Sequence, residues 1–186
     1  MPISGRVCQV SLSRVMAVIA LAMVFVAGSA GSSRCGVLID VPHNDEAMTA
    51  AFAKAAASLD EFLAKWRNPP PNAENFGVKI GVVDSNDEPG FAVIEPNARP
   101  ASRVEYLWVT NLKEDSNGFA ARVANEVEYL DNVKLGDVVH FKRSHVADWM
   151  YVQDGKIVGN ATVCPALAHA SAEEKREMKE AGIVCN

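Results

Sequence analysis

The sequence predicts an α+β fold: a mainly antiparallel sheet of about five or six strands, an N-terminal amphipathic helix and a short C-terminal helix. Three observations carry this. Apolar residues recur at spacings of four and three between Met48 and Trp66, short apolar runs joined by tight-turn residues fill positions 76–163, and a capping box opens a charged segment at Ser171. The order helix, hairpin-linked strands, helix lacks the strand–helix alternation that a parallel sheet requires. No internal repeat appears.

Asn44 is the expected cap of the first helix. Asp45 and Glu46 follow in the first turn, where negative charge meets the positive helix end. Met48, Phe52, Ala55, Leu59, Phe62 and Trp66 share one face, and Pro69, Pro70 and Pro71 stop the helix. That stripe spans under four heptads with Ala-rich flanks, so it reads as a face packed on a sheet and not as a dimer seam. Strands are expected at 76–83, 91–94, 104–112, 119–123, 138–141, 149–153 and 156–163. Asp115-Ser116-Asn117-Gly118 and Asp154-Gly155 mark two hairpins; the second pair suits a two-residue turn in which both φ angles are positive. Ser171 with Glu174 caps the last helix, which Gly182 would end.

Ahead of the fold stands a targeting signal. Arg6 and Arg14 precede an unbroken apolar run, 15–27, and the small residues Gly28, Ser29, Ala30 and Gly31 follow. Basic, apolar and small in that order describe a secretory signal peptide cleaved near Ala30, and the run is short for a spanning helix. The expected organisation is therefore a signal peptide at 1–30, a linker at 31–42 and one domain at 43–186, with 169–186 as a helical extension. Cys35 close behind would be the lipidated residue of a lipoprotein, but Ser32, Ser33 and Arg34 lack the pattern that modification needs. The expected location is periplasmic or secreted, with no membrane span in the mature form.

The whole chain carries 18 basic and 23 acidic residues. Residues 1–30 hold two of the basic ones and none of the acidic, so the 156 residues left after cleavage carry a net charge of −7. An acidic surface repels phosphate backbones, which argues against nucleic acid as a partner. Cleavage also takes Cys8 and leaves Cys35, Cys164 and Cys185 in a compartment where bridges persist. Three cysteines allow one internal bridge. Cys164 and Cys185 flank a single expected helix and are the preferred pair, with Cys35 joining one of them as the alternative.

Several pieces of the chain then resemble a known family: Leu135-Gly136-Asp137, Ala147-Asp148-Trp149-Met150 and Asp154-Gly155-Lys156-Ile157-Val158-Gly159. Phe76-Gly77-Val78-Lys79, Glu105-Tyr106-Leu107-Trp108-Val109 and the 62–66 end of the first helix belong with them. In their order and spacing they resemble the bacterial domain-of-unknown-function family numbered 2314, over about 43–168. Ala147 stands where the family usually has Ser, and Ala161 where a Tyr often follows Gly159-Asn160. The loop at 85–102 is longer than is typical. The resemblance implies no activity.

Chemistry is therefore judged residue by residue. His140, His145 and Asp148, with Asp137 in reserve, lack the spacing of a metal site, and Lys142 and Arg143 beside them oppose a divalent ion; no metal and no cofactor is expected. Asp137 and Asp148 could form a carboxylate pair, but each reads better as a turn residue, Asp148 bonding backbone groups near Ser144. No catalytic residue is assigned. With Asp154-Gly155 as the turn, Gln153 faces Lys156, Val152 faces Ile157, Tyr151 faces Val158 and Met150 faces Gly159. Both faces of that hairpin are apolar, one more than a core contact needs. Trp149 and Tyr151, with Trp108 and Asp148, are the candidate binding residues. The expected function is a non-catalytic exported binding or interaction module for a protein or small ligand. The alternative is a small hydrolase using a carboxylate or histidine.

Overall fold

The computed structural model describes residues 3–7, 37–42, 44–83, 90–91, 104–180 and 182–185. Strands β1 (Ile3–Val7) and β2 (Val37–Val41) form an antiparallel pair with Ile3 opposite Val41. The apolar run, the cleavage point and Cys35 lie outside the described residues. β1 falls within the segment that the sequence marks as a leader, and β2 lies in the expected linker, whose apolar Ile39 and Val41 are buried.

Helix α1 (Glu46–Arg67) starts at Asp45 and not at Asn44: the Asp45 carboxylate accepts from the Met48 N–H at 2.6 Å. Its Ala55, Leu59, Phe62 and Leu63 pack on the sheet, as the stripe requires. After the prolines come β3 (Ala73–Val83), β4 (Gly90–Phe91), β5 (Val104–Asp115), β6 (Gly118–Val123), β7 (Val138–Phe141), β8 (Val146–Gln153) and β9 (Lys156–Gly159). Seven strands form one antiparallel sheet in the order β7-β6-β5-β3-β8-β9, with β4 on β3. The architecture is α+β.

Both expected hairpins are present. Asp154 (φ 50°) and Gly155 (φ 75°) turn β8 into β9 with Met150 opposite Gly159, the register that a two-residue turn imposes. Positive φ also falls on Asn75 and Asn111, where the ladders of β3 with β8 and β5 with β6 slip. Asn tolerates this conformation because its short side chain bonds locally.

The strand expected at 156–163 stops at Gly159, and Val163 instead begins the short helix α2 (Val163–Ala168). Gly159 and Asn160 both have positive φ, which ends the ladder and redirects the chain. Helix α3 (Ala172–Glu180) has the predicted capping box, Ser171 N–H donating to Glu174 at 2.6 Å and Glu174 N–H to Ser171 Oγ at 3.2 Å. It ends in paired bonds from Gly182 N–H to Lys179 and from Ile183 N–H to Met178, with both Met178 and Ile183 buried. Cys164 and Cys185 are bridged, Cα to Cα 5.5 Å.

Two main apolar cores result. The larger joins α1 to the sheet through Phe62, Val78, Ile80, Leu107, Val109, Val123, Trp149 and Tyr151. The smaller joins β2, α2 and α3 through Ile39, Val41, Val163, Leu167, Met178 and Ile183. Trp108 and Met150 form a small third cluster.

Candidate functional site

Alternation along a strand sends neighbouring side chains to opposite faces. Val78 and Ile80 of β3 enter the main core, so Lys79 between them points away from it. Lys79 lies opposite Trp108 on one side and Asp148 on the other, in the middle of a row across β5, β3 and β8. All three side chains are buried.

The Asp148 carboxylate accepts four hydrogen bonds: from Trp149 N–H (2.8 Å) and Ala161 N–H (3.2 Å) on one oxygen, and from Thr162 N–H (2.8 Å) and Thr162 Oγ–H (2.7 Å) on the other. Because the Thr162 hydroxyl gives its proton to Asp148, it meets Lys79 Nζ, at 2.6 Å, as an acceptor. The ammonium also stands 4.8 Å from the centre of the Trp108 ring, within cation–π range. Burial pushes the Lys79 amine down to about 8, with the Asp148 charge holding it partly up. Every polar group of this cluster but the ammonium's spare hydrogens has a partner within the chain.

The arrangement joins β3, β8 and the segment after β9: the Thr162 hydroxyl donates to a carboxylate that three backbone N–H groups also anchor, and accepts from the Lys79 ammonium. A second buried carboxylate, Glu105, is spent in the same manner: it accepts from Glu128 N–H and Tyr129 N–H, both at 2.9 Å, and holds the loop after β6 against β5. Asn125 adds to that loop by accepting from Trp108 N–H at 2.6 Å.

The candidate binding residues do not form a free surface. Trp149 is 9% exposed, Tyr151 3%, Trp108 2% and Asp148 0%. Trp149 and Tyr151 lie under α1: the indole N–H donates to the Ala55 carbonyl at 3.1 Å, the indole stacks on Phe62 at 5.2 Å, and Tyr151 stacks on Phe76 at 5.0 Å. Their face is the core contact. The opposite face, with Met150 and Trp108, is closed too. Asp148 bonds the chain after β9 and not the turn near Ser144, because the hairpin brings Ala161 and Thr162 alongside it.

The other polar candidates are dispersed. Asp137 is exposed and accepts from Lys134 N–H at 2.9 Å. Three strands, β6, β5 and β3, separate the start of β7 from β8, so Asp137 and Asp148 stand about 19 Å apart by strand spacing and cannot share a reaction. His140 pairs with Asp115 at 3.0 Å, while His145 stacks on Phe91 and its ring is pushed down by burial. Among the described residues no three of His, Cys, Asp and Glu are grouped to hold a metal ion, and no helix is long and apolar enough to cross a membrane.

Sequence reasoning missed Lys79, Thr162 and Glu105. A charged residue inside an apolar strand, Lys79 in FGVKIGVV and Glu105 in VEYLWV, was the available signal. Thr162 carried none, because its role depends on the chain leaving the ladder at Gly159.

Among the described residues the sheet ends in two strands with one partner each, β7 on β6 and β9 on β8; Val138 of β7 is 54% exposed beside Leu135 at 48%, against 40% for Ile157 of β9.

The chain is 24% identical to the uncharacterized protein YegJ of Escherichia coli (strain K12) over 159 residues, which cover 86% of this chain and 92% of that protein. No solved structure matches. A family model described as an uncharacterized protein conserved in bacteria matches residues 45–184, from the α1 cap to the last turn before Cys185. The chain belongs to that family, DUF2314.

Proposed function

We propose that the chain is an exported, non-catalytic binding module that takes an extended strand of a protein partner on its β7 edge. The observation that carries this reading is the open edge itself. β7 ends the sheet on one side, and Val138 in it with Leu135 just before it is more exposed than Ile157 of the opposite edge β9, whereas Lys79, Glu105 and Asp148 inside the sheet are occupied by the chain's own groups. An open edge offers backbone N–H and C=O groups to a partner strand, and alternate side chains supply apolar contacts. Export is supported by the basic–apolar–small order of residues 1–30 and by the Cys164–Cys185 bridge, since bridges persist in oxidising compartments.

A photo-crosslinking residue placed at position 138, with a second at the exposed Lys54 of α1 as control, tests the surface in the native envelope. The expected result is one partner captured from position 138 and none from position 54. A Val138→Asp variant should lose the partner and keep its stability within about 0.5 kcal/mol, the range of ordinary surface changes. Capture from both positions, or binding that survives Val138→Asp, overturns the reading.

A further inference from the structure

The chain after β9 forms a lobe with its own core. Val163, Ala166, Leu167, Ala170, Met178 and Ile183 pack on Ile39 and Val41 of β2 and make a cluster distinct from the one under α1. Two polar joints fasten this lobe to the sheet and helix. One is the buried contact of Thr162 with Lys79 and Asp148; the other is His169 Nε2 to Asp45 at 2.7 Å.

Between sheet and lobe stands a two-residue link. Gly159 and Asn160 are consecutive positive-φ residues, and the Asn160 side-chain carbonyl is buried with no hydrogen-bond partner. An unpaired buried carbonyl costs free energy that a movement of the link would recover. The helices of the lobe are six and nine residues long, too short to persist alone, and α3 buries only Met178. What closes the lobe on itself is the bridge from Cys164 to Cys185, 21 residues apart.

We propose that the Cys164–Cys185 bridge is a redox-controlled clasp on this lobe. With the bridge closed, α2 and α3 stay packed on β2 and Thr162 stays on Lys79 and Asp148. With the bridge open, the lobe comes away about Gly159–Asn160 while the sheet and α1 remain folded. Closure is a thiol–disulfide exchange: one cysteine thiolate attacks the disulfide of an oxidised dithiol donor, and the other cysteine displaces it from the mixed disulfide. Two electrons and two protons pass to the donor, which leaves as a dithiol. Opening is the reverse, with a dithiol as the reductant. The clasp acts whatever the β7 edge binds.

Hydrogen exchange read by mass spectrometry tests this on the full chain, oxidised and after dithiothreitol, with alkylation counting the thiols released. Peptides spanning 160–185 report the lobe, including the Ala161 and Thr162 N–H groups bound to Asp148; peptides spanning 76–83, 104–112 and 146–153 report the sheet. Reduction is expected to speed exchange in 160–185 by about 100-fold, the scale of closing a loop of this length, and to leave the sheet within about twofold. A double Cys164→Ser, Cys185→Ser variant should match the reduced chain. Unchanged exchange in 160–185 after both thiols are released overturns the proposal. Equal loss of protection in the sheet also overturns it, because the molecule would then be one cooperative unit.

Discussion

Lys79 and Asp148 are both charged and both buried, yet their contributions to stability have opposite character. Asp148 receives three backbone N–H groups and a hydroxyl, so its charge is fully compensated. Asp148→Ala would strand those donors and should cost about 3–5 kcal/mol in urea unfolding. Lys79 has one neutral acceptor and a ring face, and burial lowers its amine to about 8 from the ordinary 10.5. Between these values the unfolded chain binds a proton that the folded chain lacks, so stability rises with pH across that window, by on the order of 3 kcal/mol. The same quantity is a cost carried at neutral pH. Burial pushes the Tyr106 phenol up to about 12, so above pH 10 the unfolded chain loses a proton that the folded chain keeps, and stability falls again. Unfolding midpoints measured from pH 7 to 11 should therefore peak near pH 10. Lys79→Met should abolish the rise and leave stability at pH 7 unchanged or higher, since Thr162 keeps its bond to Asp148. A flat profile in the unsubstituted protein would show that the amine is not shielded from solvent.

Among the elements, the β8–β9 hairpin shows what the sequence made legible. The Asp154-Gly155 turn, the register of four facing pairs and the bare position opposite Met150 all follow from the turn chemistry and appear in the structure. Helix α1, the capping box of α3 and the disulfide were legible for the same reason: each is written in residues close together in the chain or in a simple spacing. The candidate site was not. Counting apolar faces on one hairpin gave a spare face for Trp149 and Tyr151, but which face meets α1 is set by strand order, and order is a long-range property. The Lys79–Asp148–Thr162 cluster draws on β3, β8 and the segment after β9, a combination with no local signature. Gly159 makes the packing of the hairpin testable. A methyl group there would lie 2.3 Å from the Trp149 carbonyl oxygen and 2.5 Å from its ring, at a φ of 86° that side chains rarely adopt. Gly159→Ala should destabilise by about 2–4 kcal/mol and disturb the near-ultraviolet signal of Trp149. A loss below about 1 kcal/mol would mean that β9 yields without moving the indole.

For the whole molecule, cleavage of the leader would change which strands the folded chain keeps. Residues 1–30 include β1, which pairs with β2, whereas Ile39 and Val41 of β2 belong to the core formed with α2 and α3. Export with cleavage near Ala30 would remove the β1 ladder and leave β2 held by that apolar core and by the lobe that the disulfide closes. The mature chain would be more acidic by two charges, since Arg6 and Arg14 leave with the segment. Intact-mass measurement on protein isolated from its native envelope, without reduction, reads both events at once. The expected species starts within a few residues of Gly31 and is lighter by two hydrogen atoms for one bridge. Peptide mapping should then join Cys164 to Cys185 and leave Cys35 outside the pair. A full-length mass would show that the residues of β1 are retained and that the leader reading is wrong. A diacylglyceryl mass on Cys35 would make the protein a lipoprotein, anchored two residues before β2, the strand on which the lobe packs.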